Sequence, residues 1–141
     1  MLLIAENINK SYGEKTLLKE ISINRYEKQK IGIIGINGCG KSTFLKILSG
    51  RLEPDSGNVS LIGKVKISYL PQDLEINQNN TILAEVLRNV THEEHDIKEH
   101  EAKAILTKLE LFDYEKVIST LSGGEKRKVA LACALINPCD I

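Results

Sequence analysis

Apolar and polar positions alternate through the first 26 residues. Residues 2–9 and 17–26 read as strands, and the second sets Ile21, Ile23 and Arg25 on one face against Ser22 and Asn24 on the other. Between them Ser11-Tyr12-Gly13-Glu14 carries turn chemistry. The apolar run at 31–36, Ile-Gly-Ile-Ile-Gly-Ile, is too short for a helix of its own. It predicts a strand buried on both faces, the kind found inside a mostly parallel sheet. A glycine-rich turn follows, and Phe44, Leu45 and Leu48 then recur at helical spacing within 41–48. Residues 51–57 read as a loop from Pro54, Asp55 and Gly57, and 59–62 and 65–70 as strands joined by a hairpin at Gly63-Lys64.

From Thr81 the period becomes helical. Ile82, Leu83, Val86 and Leu87 form one face, and Ala102, Ile105, Leu106 and Leu109 form another. The charged stretch at 91–101 lies between them and carries His92, His95 and His100. A last helix begins near Ser122, runs through Ile136 and is stopped by Pro138. Its second half, 129–136, is apolar nearly all round and expects cover on more than one side. Strands first and helices afterwards, with a β–loop–helix unit, predict an α/β domain with a helical subregion from 81 to about 120.

Composition narrows the class. The 141 residues hold 19 basic and 19 acidic side chains, so no basic excess points to DNA or an anionic membrane surface. With 42% apolar and 27% charged residues the chain is expected to fold and be soluble. The longest apolar run, 129–136, is far short of the ~20 residues that span a bilayer, and the N-terminus lacks the basic lead-in of a signal peptide. Cys39, Cys133 and Cys139 form no C-x-x-C pair and read as reduced thiols, which predicts a cytoplasmic protein. His92-Glu93-Glu94-His95 is not H-E-x-x-H, because position 96 is Asp. It reads as a solvated face, and no metal other than Mg²⁺ is expected.

Gly35-Ile36-Asn37-Gly38-Cys39-Gly40-Lys41-Ser42 fits the phosphate-loop pattern G-x-x-x-x-G-K-[ST] in full, followed by Thr43. Its position between an apolar run and a helix start suits that chemistry. The glycines allow successive N–H groups to face phosphate oxygens, and the helix N-terminus adds partial positive charge. Lys41 would reach the β- and γ-phosphates and Ser42 would ligate Mg²⁺. A tight strand-to-helix turn would explain the glycines but not Lys41-Ser42. The dinucleotide pattern G-x-G-x-x-G does not fit glycines at 32, 35, 38 and 40. Cys39 reads as a small residue tolerated in the turn, with no catalytic role.

Leu121-Ser122-Gly123-Gly124-Glu125 opens the last helix. Ser122 and Glu125 have capping-box spacing, yet two glycines weaken the helix and Lys126, Arg127 and Lys128 put positive charge at the positive dipole end. A helix start meant to meet phosphate tolerates such costs. The Walker A sequence at 35–42 followed by this second motif resembles the nucleotide-binding domain of ATP-binding cassette (ABC) proteins, over essentially the whole chain. The resemblance implies a P-loop NTPase-type cassette spanning 1–141, with an N-terminal β subdomain, a mostly parallel core sheet and a helical subdomain. It implies ATP and Mg²⁺ as cofactors. By the same resemblance Tyr12 would stack on adenine and Gln72, after Pro71, would be the Q-loop residue touching Mg²⁺ and the γ-phosphate side. Gly35, Asn37, Gly38, Cys39, Gly40, Lys41, Ser42 and Thr43 would hold the triphosphate. Ser122, Gly123 and Gly124 would complete the γ-phosphate site of a second cassette, from the same full-length chain or a homodimer.

The wording at 31–35, 67–72 and 124–131 is most similar to the ABC-F branch, whose members act on ribosomes; the alternative is an ATP-binding subunit partnered by a membrane permease. The family's Walker B strand, its catalytic Glu and its switch His are not found in 1–141. Asp140 follows Ile136-Asn137-Pro138-Cys139, and a Pro is incompatible with a central strand. The chain therefore reads as the front part of one cassette, truncated before Walker B, binding nucleotide but not hydrolysing it alone.

Overall fold

The computed structural model describes residues 1–73, 75–90 and 94–141, which form two compact units: 1–67 with 140–141, and 68–139. Its strands and helices make an α/β cassette.

The first unit is built on three strands, β1 (Leu3–Tyr12), β2 (Lys15–Arg25) and β3 (Ser56–Leu61), in the order β2-β1-β3 with both pairings antiparallel. Leu3 and Ala5 of β1 face the core, but so does Ile8, and a switch from odd to even positions requires a break in the pleat. Asn7 supplies it at φ 51°, and Glu20 at φ 50° does the same on β2 between Leu18 and Ile21. The backbone groups freed there are recaptured by side chains. Ser22 Oγ accepts from Asn7 N at 2.9 Å, and Asn9 Oδ1 accepts from Glu20 N at 2.9 Å. Asn9 Nδ2 donates to Asn7 O at 2.8 Å and Ser56 Oγ at 3.0 Å.

Helix α1 (Lys41–Leu48) lays Phe44 and Ile47 on this sheet, in one cluster with Leu3, Ala5, Ile8 and Leu18. Burying a side chain such as Ile8 or Ile47 stabilises by roughly 1.5–3 kcal/mol. The helix ends in a Schellman motif, Gly50 N donating to Ile47 O at 3.0 Å and Arg51 N to Lys46 O at 2.9 Å.

The expected mostly parallel sheet is not found among the described residues, whose strand pairings are both antiparallel, and two segments expected as strands are not strands. Residues 31–36 form no strand and are not buried on both faces: Ile34 is 95% and Ile36 81% exposed, and only Ile33 packs against the core. A strand is a hydrogen-bonded ladder, and among the described residues no strand lies beside this segment. Residues 65–70 likewise form no strand and no hairpin with 59–62. Lys66 pairs instead with the far end of the chain: its N–H donates to Asp140 Oδ2 at 2.8 Å, and its carbonyl accepts from Asp140 N at 2.8 Å and Ile141 N at 3.2 Å. The turn expected at 11–14 is shorter, β1 running through Tyr12.

The second unit packs α2 (Ile82–Leu87), α3 (His95–Lys108) and α4 (Gly123–Leu135) on one core. The helical faces read from spacing meet there. Ile82, Val86, Leu87, Ala102 and Leu106 are buried, with Leu83, Ile105 and Leu109 packed around them. Thr81 caps α2, its hydroxyl accepting from Ala84 N at 3.3 Å. Glu85, 2% exposed, is neutralised by Arg88 at 2.9 Å and accepts from Asn77 N at 3.2 Å and Asn80 Nδ2 at 2.8 Å. Such pairing is what permits a carboxylate in a core. Helix α4 buries Val129, Ala130 and Ala132 but leaves Leu135 48% exposed. Burial pushes the Cys133 thiol up to about 11. Of the two histidines expected on a solvated face, His95 opens α3 and His92 lies outside the described residues.

Gly57 offers a test of the sheet. At φ +92° an added Cβ would lie 2.4 Å from Asn7 O, in the bulge itself. Gly57→Ala is expected to destabilise by about 2–4 kcal/mol in urea unfolding. Gly63→Ala, at φ +83° with nothing within 4 Å, should cost only about 1 kcal/mol.

Candidate functional site

Residues 36–40 carry the chain from the exposed segment into α1. Gly40 is the N-cap residue in the left-handed region, at φ 98°, and a Cβ there would meet Leu18 Cδ2 at 3.0 Å and Leu17 O at 3.2 Å. Only glycine combines that backbone with that approach to β2. Among the described residues no side chain caps α1. Its first intrahelical bond is Phe44 N to Gly40 O at 2.8 Å, so the N–H groups of Lys41, Ser42 and Thr43 precede the helical ladder. Partial positive charge gathers at that turn.

Lys41 folds back over the loop. Its ammonium donates to Gly35 O and Ile36 O, each at 2.8 Å, and lies 3.9 Å from Cys39 Sγ. Cys39 N closes a turn to Ile36 O at 3.4 Å, and the Sγ lies 2.8 Å from where a Cβ on Gly35 would stand. Gly35, Asn37, Gly38, Cys39 and Ser42 are exposed, with Thr43 half-buried. Uncapped N–H groups beside the Lys41 ammonium form a donor set for an anion with several oxygens, and triphosphate chemistry fits it.

Tyr12 ends β1 and is 54% exposed. Lys10, two residues earlier, places its ammonium 5.8 Å from the ring centroid.

In the second unit, exposed Gln72 lines a pocket of about 250 Å³ with Leu70, Pro71 and Arg127. Arg127 stands on the first turns of α4, whose start is closed by a capping box. Glu125 N donates to Ser122 Oγ at 3.3 Å, and Ser122 N donates to Glu125 Oε2 at 2.8 Å. Lys116 adds a third contact at 3.3 Å from Glu125 Oε1. The Ser122 N–H first, then the Ser122 hydroxyl and Lys116, hold the Glu125 carboxyl down at about 2. Gly123 and Gly124 are exposed.

The structure thus gathers 35–43 around one helix start, and Gln72 with the start of α4 in the other unit. Lys10, Asp55 and Lys116 carry no local motif, and sequence reasoning passed over them; their partners are distant in the chain, Asp55 being 45 residues from Lys10. Among the described residues no cluster of three His, Cys, Asp or Glu side chains could hold a metal, and no helix is long and apolar enough to cross a membrane.

Comparisons with known proteins bear on the family and the fold. A family model described as ABC transporter matches residues 18–141. The chain is 32% identical over 177 residues to YfmR of Bacillus subtilis (strain 168), described as an uncharacterized ABC transporter ATP-binding protein, covering 99% of this chain and 28% of that protein. It is 34% identical over 151 residues to the spermidine/putrescine import ATP-binding protein PotA of Spiroplasma citri, covering 96% and 42%. The fold of a solved ATP-binding subunit of an ABC transporter superposes with TM-score 0.79 at 22% identity, covering 96% of this chain and 62% of that one. The chain therefore spans less than half the length of both curated relatives.

The capping box generates a pH prediction. Glu125 sits at about 2 in the folded chain against 4.5 ordinarily. A depressed carboxyl stabilises above its unfolded value and loses that contribution as pH falls through the folded one. The stability difference between the parent and Glu125→Gln should be constant above about pH 5 and vanish toward pH 2 in acid-unfolding curves. Ser122→Ala should cost about 1 kcal/mol at neutral pH.

Proposed function

The chain belongs to the ABC transporter ATP-binding family, and from that premise we propose that residues 35–43 bind the triphosphate of ATP with Mg²⁺. The start of α1 carries this reading: a helix N-terminus without a side-chain cap, led in by left-handed Gly40, with the Lys41 ammonium resting on loop carbonyls. An entering phosphate takes over the Lys41 hydrogen bonds and receives the N–H groups of the first turn. We assign Ser42 and Gln72 to Mg²⁺, which when bound neutralises charge on the phosphate oxygens. Tyr12 is assigned to the adenine ring.

Ser122, Gly123 and Gly124 are assigned to the γ-phosphate of nucleotide held by a second cassette. Gly123 and Gly124, exposed at the N-terminus of α4, suit that role. The pair would come from a second copy or from the rest of a longer chain. ATP hydrolysis is proposed for the whole protein, because 1–141 lacks the Walker B Asp and the Glu that orients water.

The transporter reading is favoured over the ribosomal one. PotA is described as an import ATP-binding protein and YfmR as an ABC transporter ATP-binding protein, which supports a membrane permease as partner at the cytoplasmic face. The ABC-F-like wording at 31–35, 67–72 and 124–131 has no comparable support. Salt-stable co-purification of the full-length protein with a permease, and no co-sedimentation with ribosomes, is the expected outcome.

Lys41→Ala is expected to abolish Mg-ATP binding in isothermal titration, and equal affinity of parent and variant would overturn the assignment. Residues 1–141 alone should release phosphate from ATP no faster than Lys41→Ala does. Faster release would mean that a group within these residues replaces the Walker B pair.

A further inference from the structure

Tyr12 sits at the end of β1, where a strand normally frays, yet its approach is held by an ion pair. Asp55 lies just before β3, and its backbone N–H donates to Asn9 O at 2.9 Å, extending the β1–β3 ladder by one step. That fixes its carboxylate beside the last residues of β1. Oδ2 accepts from Ser11 N at 2.7 Å, and Oδ1 accepts from Lys10 Nζ at 2.6 Å. The Lys10 hydrogen bond first, then that from Ser11, holds the Asp55 carboxyl below its usual range, so the carboxylate is ionised at neutral pH.

Lys10 and Tyr12 are two residues apart on one strand and so share a face of the sheet. The Lys10 side chain is 15% exposed, unlike a free surface lysine, and its ammonium stands 5.8 Å from the Tyr12 centroid, within cation–π range. One cation therefore bonds the carboxylate and stands within cation–π range of the ring. Tyr12, 54% exposed, keeps open surface for a flat ligand.

We propose that Lys10, anchored by Asp55, is a positioning residue for Tyr12 that holds the ring in the orientation that stacks on the base of a bound nucleotide. Asp55 fixes the ammonium, the ammonium fixes the ring, and the nucleotide loses less freedom on binding because the platform is already ordered. The proposal rests on the assignment of Tyr12 to adenine and adds to it two residues outside the phosphate loop.

The test compares ATP with inorganic tripolyphosphate, which has the phosphates but no base, each titrated with Mg²⁺ into the full chain. Lys10→Met and Asp55→Asn should each weaken ATP about two- to fivefold and leave tripolyphosphate unchanged. Lys10→Arg, which keeps a cation over the ring, should restore ATP affinity. Equal weakening of both ligands would mean a general structural role and overturn the proposal. Unchanged ATP binding in Lys10→Met, with selective ATP loss in Tyr12→Ala, would overturn it while leaving Tyr12 as the base platform. Unchanged ATP binding in Tyr12→Ala would remove the platform reading and the proposal together.

Discussion

Because β1 is hydrogen-bonded along both edges, to β2 on one side and β3 on the other, it places every other part of the first unit. Its buried positions pass from odd (Leu3, Ala5) to even (Ile8), which requires an interruption of the pleat, and Asn7 supplies it. Asn9 then satisfies groups on β2, on β1 itself and at the start of β3. Gly57 has no room for a side chain because the bulged backbone occupies it. At the far end the same ladder delivers Asp55 to Ser11 and Lys10. Through Leu17 and Leu18, β2 sets the floor against which Gly40 must turn.

The starts of α1 and α4 solve one electrostatic problem in opposite ways. Both α1 and α4 present N–H groups at the positive end of a dipole. At α4 the chain answers with its own carboxylate, Glu125, reinforced by Lys116. At α1 it supplies no carboxylate and adds a cation instead, parked on carbonyl oxygens. The first arrangement is complete without a ligand; the second gains most when an anion arrives. The three cationic side chains after Glu125 follow from this difference, since the capping carboxylate offsets charge that would otherwise burden the helix start.

Local patterns were legible wherever the physics is local. The 3.6-residue period marked Ile82, Val86, Ala102 and Leu106, and each is buried, because one apolar stripe per helix suffices to pack a bundle. The Ser122–Glu125 spacing foretold the capping box, whose bonds lie within one turn. Residues 35–43 are contiguous, so their gathering at a helix start followed from the motif. The apolar runs at 31–36 and 65–70 were misread as strands for a shared reason. Apolar content says that a segment can be buried, while strand formation depends on a neighbour that the segment does not encode.

By itself, the sequence determined the phosphate-loop motif, the helical faces, the capping box at Ser122, and the turn between the first two strands. Each depends on residues within about one turn, or on a short hairpin. Only the tertiary structure decided that Asp55 meets Lys10, that Lys116 meets Glu125, that Glu85 is buried with Arg88, and that Lys66 pairs with Asp140 and Ile141. Of these, Glu85 and Arg88 stand three apart on one helix, and what spacing could not tell is that the core closes over them. The other contacts join residues that the backbone brings together only after the ladders and the helical core have formed.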